Sequence, residues 1–189
     1  HIEQGAVLES KNLAVGVVTG ICCQIRGEVV IDGTASHAGT TPMDLRKDAL
    51  AAAAECMLEI EDEAKNYPQA VATVGKIEAF PGGVNVVPGQ VKFSIDMRNQ
   101  KAALRDAMFD KCVERMKAVC EKRGVKMEVK VLMKDDEGKP CADHIQDIVA
   151  ESCEKAGLPV FKMPSGAGHD SSTFADFCPM GMIFVRSKD

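Results

Sequence analysis

Between residues 91 and 98 the chain alternates without a break. Val91, Phe93, Ile95 and Met97 take one side; Lys92, Ser94, Asp96 and Arg98 take the other. Successive side chains of a strand point to opposite faces, so this pattern predicts an antiparallel strand with one dry face and one wet face. Residues 24–32, QIRGEVVID, also read as a strand, as does the apolar stretch 70–79, and Met127, Val129 and Val131 mark a fourth. Two other segments repeat every three or four residues instead. Leu45, Ala49, Ala52, Ala53, Cys56, Met57, Ile60 and Ala64 lie on one stripe and predict a helix from Asp44 to Ala64, with Thr41 as its cap and Pro42 in its first turn. Leu104, Met108, Cys112, Met116, Val119 and Cys120 predict a second helix over about 101–122, capped by Asn99 and stopped by Gly124.

The resulting order, β-α-β-β-α-β, is the ferredoxin-like arrangement: one antiparallel sheet with two helices on one face. It occupies residues 23–134 and leaves both ends of the chain outside. Residues 1–22 carry a short apolar strand, LAVGVVTGI. Residues 135–189 carry a charged connector, a helix from Asp143 to Ala156, a strand in LPVFKMP, a Gly-rich loop entering a helix, and a final strand in GMIFVRS. The fold class is therefore α/β, with the ferredoxin-like unit interrupting a second domain of which strips 1–22 and 135–189 are present.

Composition narrows the function. Of 189 residues, 46% are hydrophobic and 27% charged, as in a soluble globular protein. The formal charge of -5, with no run of five basic residues, argues against a nucleic-acid partner. No apolar run approaches the roughly 18 residues of a membrane span. The eight cysteines show no C-x2-C or C-x4-C spacing, which argues against a zinc knuckle and for buried, reduced thiols in a cytoplasmic protein.

Four places carry candidate chemistry. HIEQG opens the chain with His1 and Gln4. ASHAGTTP places His37 in a Gly-rich loop at a helix entrance, where backbone approaches a ligand closely. GGVNVVPG followed by DMR offers Asn85 and Arg98, and a guanidinium is a natural fork for a carboxylate. SGAGHD places His169 in another Gly-rich loop. Each has an ordinary structural reading when taken alone, Arg98 for instance as a surface partner of Asp96.

Taken in order, these motifs resemble the M20 metallopeptidase superfamily, and within it the hydantoinase/carbamoylase branch of allantoate amidohydrolases, N-carbamoyl-L-amino acid hydrolases and β-ureidopropionases. The likeness runs through essentially the whole chain. It implies a two-metal site, zinc or manganese, in a longer parent protein, with His1 as one ligand and the remaining ligands and the general base outside this segment. One ligand is too few to hold an ion tightly. The resemblance further implies that 23–134 is a dimerisation, or lid, domain between strips of a catalytic domain. By the same resemblance Gln4 and His169 contact the substrate, Asn85 and Arg98 hold its carboxylate, and His37 reaches a neighbouring subunit's active site to stabilise the oxyanion. The expected reaction is hydrolysis of a linear amide C–N bond in an N-carbamoyl amino acid or allantoate, by a homodimer. The alternatives are a dimerisation module inactive by itself, an M20 aminoacylase or dipeptidase, disfavoured by His1 where those branches carry an acidic residue, and a free-standing ligand-binding domain.

Overall fold

The computed structural model describes residues 1–187 and divides into two compact units, Gln24–Asp135 and the combination of His1–Cys23 with the stretch from Asp136 onward. In chain order the first elements are α1 (Val7–Ser10), β1 (Val15–Ile21), β2 (Cys23–Asp32), β3 (Ser36–His37), α2 (Ala49–Ala64), β4 (Val71–Thr73), β5 (Ile77–Phe80) and β6 (Val86–Val87). There follow β7 (Gln90–Asn99), α3 (Ala102–Arg123), β8 (Lys126–Lys134), β9 (Lys139–Pro140), α4 (Asp143–Lys155), β10 (Lys162–Ser165), α5 (Ser171–Phe174) and β11 (Ile183–Val185).

The unit Gln24–Asp135 is a sheet ordered β4-β7-β2-β8, with β5 also on β7. Its dry face is built as the alternation requires: Val29 and Ile31 from β2 and Val91, Phe93, Ile95 and Met97 from β7 are all buried. Across from them α2 contributes Ala52, Ala53, Cys56 and Ile60, and α3 contributes Met108, Cys112 and Met116. The small residues of α2 let that helix seat closely on α3 and the sheet. The segment 70–79 is two strands rather than one. β4 pairs the Asp96–Arg98 end of β7 and β5 the Gln90–Phe93 end, while between them Lys76 N donates to Ser94 Oγ at 3.0 Å.

The start of α2 and the residue ahead of α3 differ from expectation, while α3 itself begins within one residue of it. Met43–Leu45 is a single 3-10 turn, Arg46 is extended, and α2 begins only at Ala49. The cause lies in the backbone: Lys47 O accepts from Thr34 N at 2.9 Å, and a Cβ on Gly33 would lie 2.1 Å from that oxygen, so this stretch is committed to a neighbouring strand end. Asp48, not Thr41, caps α2, accepting from Leu50 N at 2.9 Å and Ala51 N at 3.0 Å, and Leu45 is left exposed. Asn99 does not cap α3. Its Oδ1 accepts from Lys101 N and its Nδ2 donates to Pro68 O, so it braces the turn instead. Gly124 does stop α3, at a left-handed φ of 65°.

Arg105 is fully buried on α3. Its Nη1 donates to Asp135 O at 2.7 Å and Gln24 O at 3.4 Å, and Nε and Nη2 both reach Asp106 Oδ1. Gln24 N donates to Asp135 Oδ2 and Asp135 N to Gln24 O, each at 3.0 Å. The residues by which the chain enters and leaves this unit are thus tied to each other and to one guanidinium.

In the other unit, β1 is central, with β10 parallel on one side and β11 antiparallel on the other; β9 pairs the Gly20–Ile21 end of β1. Leu8, Val18, Ile21, Met163, Met180, Met182 and Phe184 form its core. The strand expected in 158–164 forms at Lys162–Ser165. Seven cysteines are buried, Cys178 is exposed, and all eight are free thiols. No described helix is long and apolar enough to cross a membrane.

Candidate functional site

Backbone pairing fixes the first residues against β11. Glu3 N donates to Val185 O at 3.0 Å, Val185 N to His1 O at 2.9 Å, and the His1 backbone nitrogen to Ile183 O at 3.1 Å. Glu3 is buried, and its two oxygens accept from Val7 N at 2.7 Å and Leu8 N at 2.9 Å, so they are consumed as the anchor of α1. That anchor draws the chain into a tight bend in which Gln4 takes φ 54°. The His1 imidazole lies with its centroid 4.6 Å from that of His169 at an interplanar angle of 57°. His169 Nε2 is 2.8 Å from Ser165 Oγ at the buried end of β10, and Phe184 backs its ring. Burial pushes the His169 imidazole below its usual value, and Asp170 opposes. His1 and His169 are therefore brought together, with Gln4 close by in sequence.

Among the described residues no three His, Cys, Asp or Glu side chains converge as a metal site. With Glu3 committed to α1, the donor set here suits the contribution of one exposed imidazole, His1, and does not enclose an ion by itself.

The second group lies in Gln24–Asp135. β3 and β6 form a two-stranded ribbon with Ser36 opposite Val87 and His37 opposite Val86, and Ala38 N donates to Asn85 O at 2.9 Å. His37 and Asn85, distant in sequence, thereby become neighbours. Gly39 N donates to His37 Nδ1 at 3.0 Å, so a neutral imidazole carries its proton on Nε2 and presents it outward as a donor. The loop is stiffened from behind: Arg46 donates to Ala38 O at 2.6 Å and to Thr41 O at 3.0 Å, and Thr41 Oγ1 donates to His37 O at 2.8 Å.

Arg98 stands elsewhere, on the wet face of β7. Its Nε and Nη2 donate to the two oxygens of Asp96, each at 2.7 Å, and Arg26 Nε donates to Asp96 Oδ2 at 3.0 Å. These bonds, those of Arg98 first, hold the Asp96 carboxyl below the usual carboxylate range against the opposing effect of burial. At a rise of about 3.3 Å per residue, roughly 25 Å of strand separate Arg98 from Gln90, the end of β7 from which the ribbon of His37 and Asn85 emerges. The structure thus keeps Arg98 apart from Asn85 within one chain. Arg26, Gln24, Glu3 and Ser165 were not singled out from sequence. The outward alternation of β2 was the one signal that set Arg26 and Gln24 on the same face.

A family profile described as a peptidase dimerisation domain matches residues 20–128. The chain belongs to that family, the dimerisation domain of M20 peptidases and amidohydrolases. Over its whole length it is 43% identical to an N-carbamoyl-L-amino acid amidohydrolase of Geobacillus stearothermophilus, and over 99% of its length 38% identical to the allantoate amidohydrolase of Escherichia coli. It spans 46% of each of those proteins. A crystal structure of a hydantoinase/carbamoylase family amidase from Burkholderia ambifaria superposes with a TM-score of 0.94 at 34% identity, covering 98% of this chain and 46% of that one.

Proposed function

We propose that the chain is part of a metal-dependent amidohydrolase, working as a cytoplasmic homodimer, that cleaves a linear amide C–N bond in an N-carbamoyl amino acid or allantoate. The observation that carries this reading is the His37–Asn85 ribbon: a histidine with its donor proton on the outer nitrogen, beside an asparagine, on a loop braced by Arg46. The His37 donor suits an oxyanion as negative charge develops on a carbonyl oxygen, and Asn85 beside it is assigned, with Arg98, to the substrate carboxylate. Arg98, held as a rigid fork by Asp96, suits the substrate carboxylate. His1 is assigned as a metal ligand, and Gln4 and His169 as substrate contacts. Divalent ions, zinc or manganese, when bound would supply an activated water and a polarised carbonyl.

The separation along β7 bears on the division of labour. One chain cannot apply both ends of that strand to one small molecule, so the substrate held by Arg98 receives His37 and Asn85 from a partner subunit. The test is turnover by the complete polypeptide supplied with Mn2+ or Zn2+. Ammonia release from N-carbamoyl amino acids or allantoate is expected, with dipeptides left intact. Hydrolysis of dipeptides alone would place the protein with the aminoacylases and peptidases.

A further inference from the structure

We infer that Glu3 is a positioning residue: its buried carboxylate holds Gln4 in the backbone state that presents the Gln4 side chain to the substrate. This rests on the substrate contact proposed for Gln4 and names the group that makes that contact possible.

Gln4 takes φ 54°, in the left-handed region that residues with a Cβ enter only at a cost. Among the described residues two others besides glycines share it. Asn12 belongs to a type that tolerates this conformation, and its Oδ1 accepts from Arg186 Nη1 at 3.1 Å. Gln69 lies in the turn after α2, where Ala70 N donates to Tyr67 O at 3.3 Å. Gln4 has no such support of its own. Its side chain is exposed and makes no hydrogen bond among the described residues, so the restraint comes from its neighbours.

Both sides of the bend are fixed. Before it, the chain runs beside β11, with Glu3 N on Val185 O and Val185 N on His1 O. After it, Leu8 is fully buried in the core of this unit. The Glu3 carboxylate draws the two sides together, Oε1 accepting from Val7 N at 2.7 Å and Oε2 from Leu8 N at 2.9 Å. Gly5 permits so close a wrap, since a Cβ there would stand 3.1 Å from Glu3 Oε1. Glu3 is only 8% exposed, and among the described residues its carboxylate meets no cation. Burying a charge without a counter-ion is costly, and the two N–H groups offset that cost because a carboxylate offers each of them an oxygen. An apolar residue at position 3 would avoid the cost and leave Gln4 free to relax to negative φ. His1 does not depend on this clamp, being held by its own pairing with Val185.

The test measures kcat/KM on N-carbamoyl-L-alanine and allantoate in the complete polypeptide. The variants are Glu3→Gln, Gln4→Ala, the two combined, and Gln4→Gly, with Gln69→Gly as a control. An amide at position 3 keeps one acceptor oxygen and turns an NH2 toward a backbone N–H, so Glu3→Gln should release the bend and lower kcat/KM roughly tenfold or more. In the Gln4→Ala background the same change should cost no further activity, while its loss of melting temperature persists in both backgrounds. Additive losses of activity would make Glu3 a structural residue and overturn the inference. Bound Mn2+ or Zn2+ should be unchanged in Glu3→Gln; its loss would show the bend serving His1, and would overturn the inference as well. Gln4→Gly should raise the melting temperature and lower kcat/KM, whereas Gln69→Gly should raise the melting temperature alone. If Gln69→Gly stabilised and Gln4→Gly did not, the bend would hold no strain and the inference would fail. On this chain by itself, the HN–Hα coupling constant of Gln4, which reports φ, should shift in Glu3→Gln. No shift overturns the inference whatever the activity. A shift, in a protein whose complete form hydrolyses neither substrate, discards the proposed reaction and leaves Glu3 as the residue that sets Gln4.

Discussion

Asp96 receives three hydrogen bonds from two guanidinium groups and is only partly exposed. Its folded-state carboxyl is held below its unfolded value, so the stability it adds is complete above the ordinary carboxylate range and drains away as pH falls through the lower folded value. Asp96→Asn should therefore cost about 1 kcal/mol in urea unfolding at neutral pH, and the gap from the parent should close in strong acid. Arg105 is the opposite case, a charge with no exposed surface. Arg105→Met would strip two carbonyls and Asp106 of a donor, at a cost of about 2–4 kcal/mol, seen as a lower melting temperature by calorimetry. The thiols report on burial. Burial pushes Cys112 up to about 12, and Cys56 is raised as well, chiefly by its contact with Cys120 at 3.9 Å. Native protein should thus expose one fast-reacting thiol, Cys178, to a disulfide reagent, and denatured protein all eight. Asp96 and Arg98 could be read from alternation alone. Arg105 could not: Leu104 looked like the apolar position, yet the helix phase set by Met108 and Cys112 turns Arg105 inward, and only the carbonyls of Gln24 and Asp135 make that tolerable.

At the level of elements, periodicity located what it could count. β7 and the buried stripes of α2 and α3 follow their spacing because each buries one continuous face. Starts and breaks did not follow. The α2 stripe extends in sequence to Leu45, but Lys47 O is already taken by Thr34 N, so the helix must wait for Asp48. Asp48→Ala is expected to destabilise by about 1 kcal/mol, whereas Thr41→Ala should leave α2 intact and loosen the His37 loop; circular dichroism melts of the two variants separate these outcomes. Two-residue strands such as β3 and β6 carry no period at all, so the family likeness named His37 and Asn85 separately, and the pairing that joins them is seen only in three dimensions.

For the molecule as a whole, the length of β7 gives the sharpest expectation. If His37 acts across subunits and Arg98 within its own, His37→Ala and Arg98→Ala dimers should each be nearly inactive, and dissociating and reassociating an equal mixture should restore about a quarter of the original activity, since half the dimers are mixed and each carries one intact site. Were both residues to serve one subunit, mixing would restore nothing.

The knot of Gln24, Asp135 and Arg105 has a consequence beyond stability. A polypeptide segment whose two ends emerge side by side asks little of whatever surrounds it: a host needs only to open one surface bend to receive it, and can lose it again by closing that bend. Such a segment behaves as portable cargo, and joining Gln24 to Asp135 directly, with fresh ends cut into the bend after α2, should yield a permuted molecule with the same sheet order.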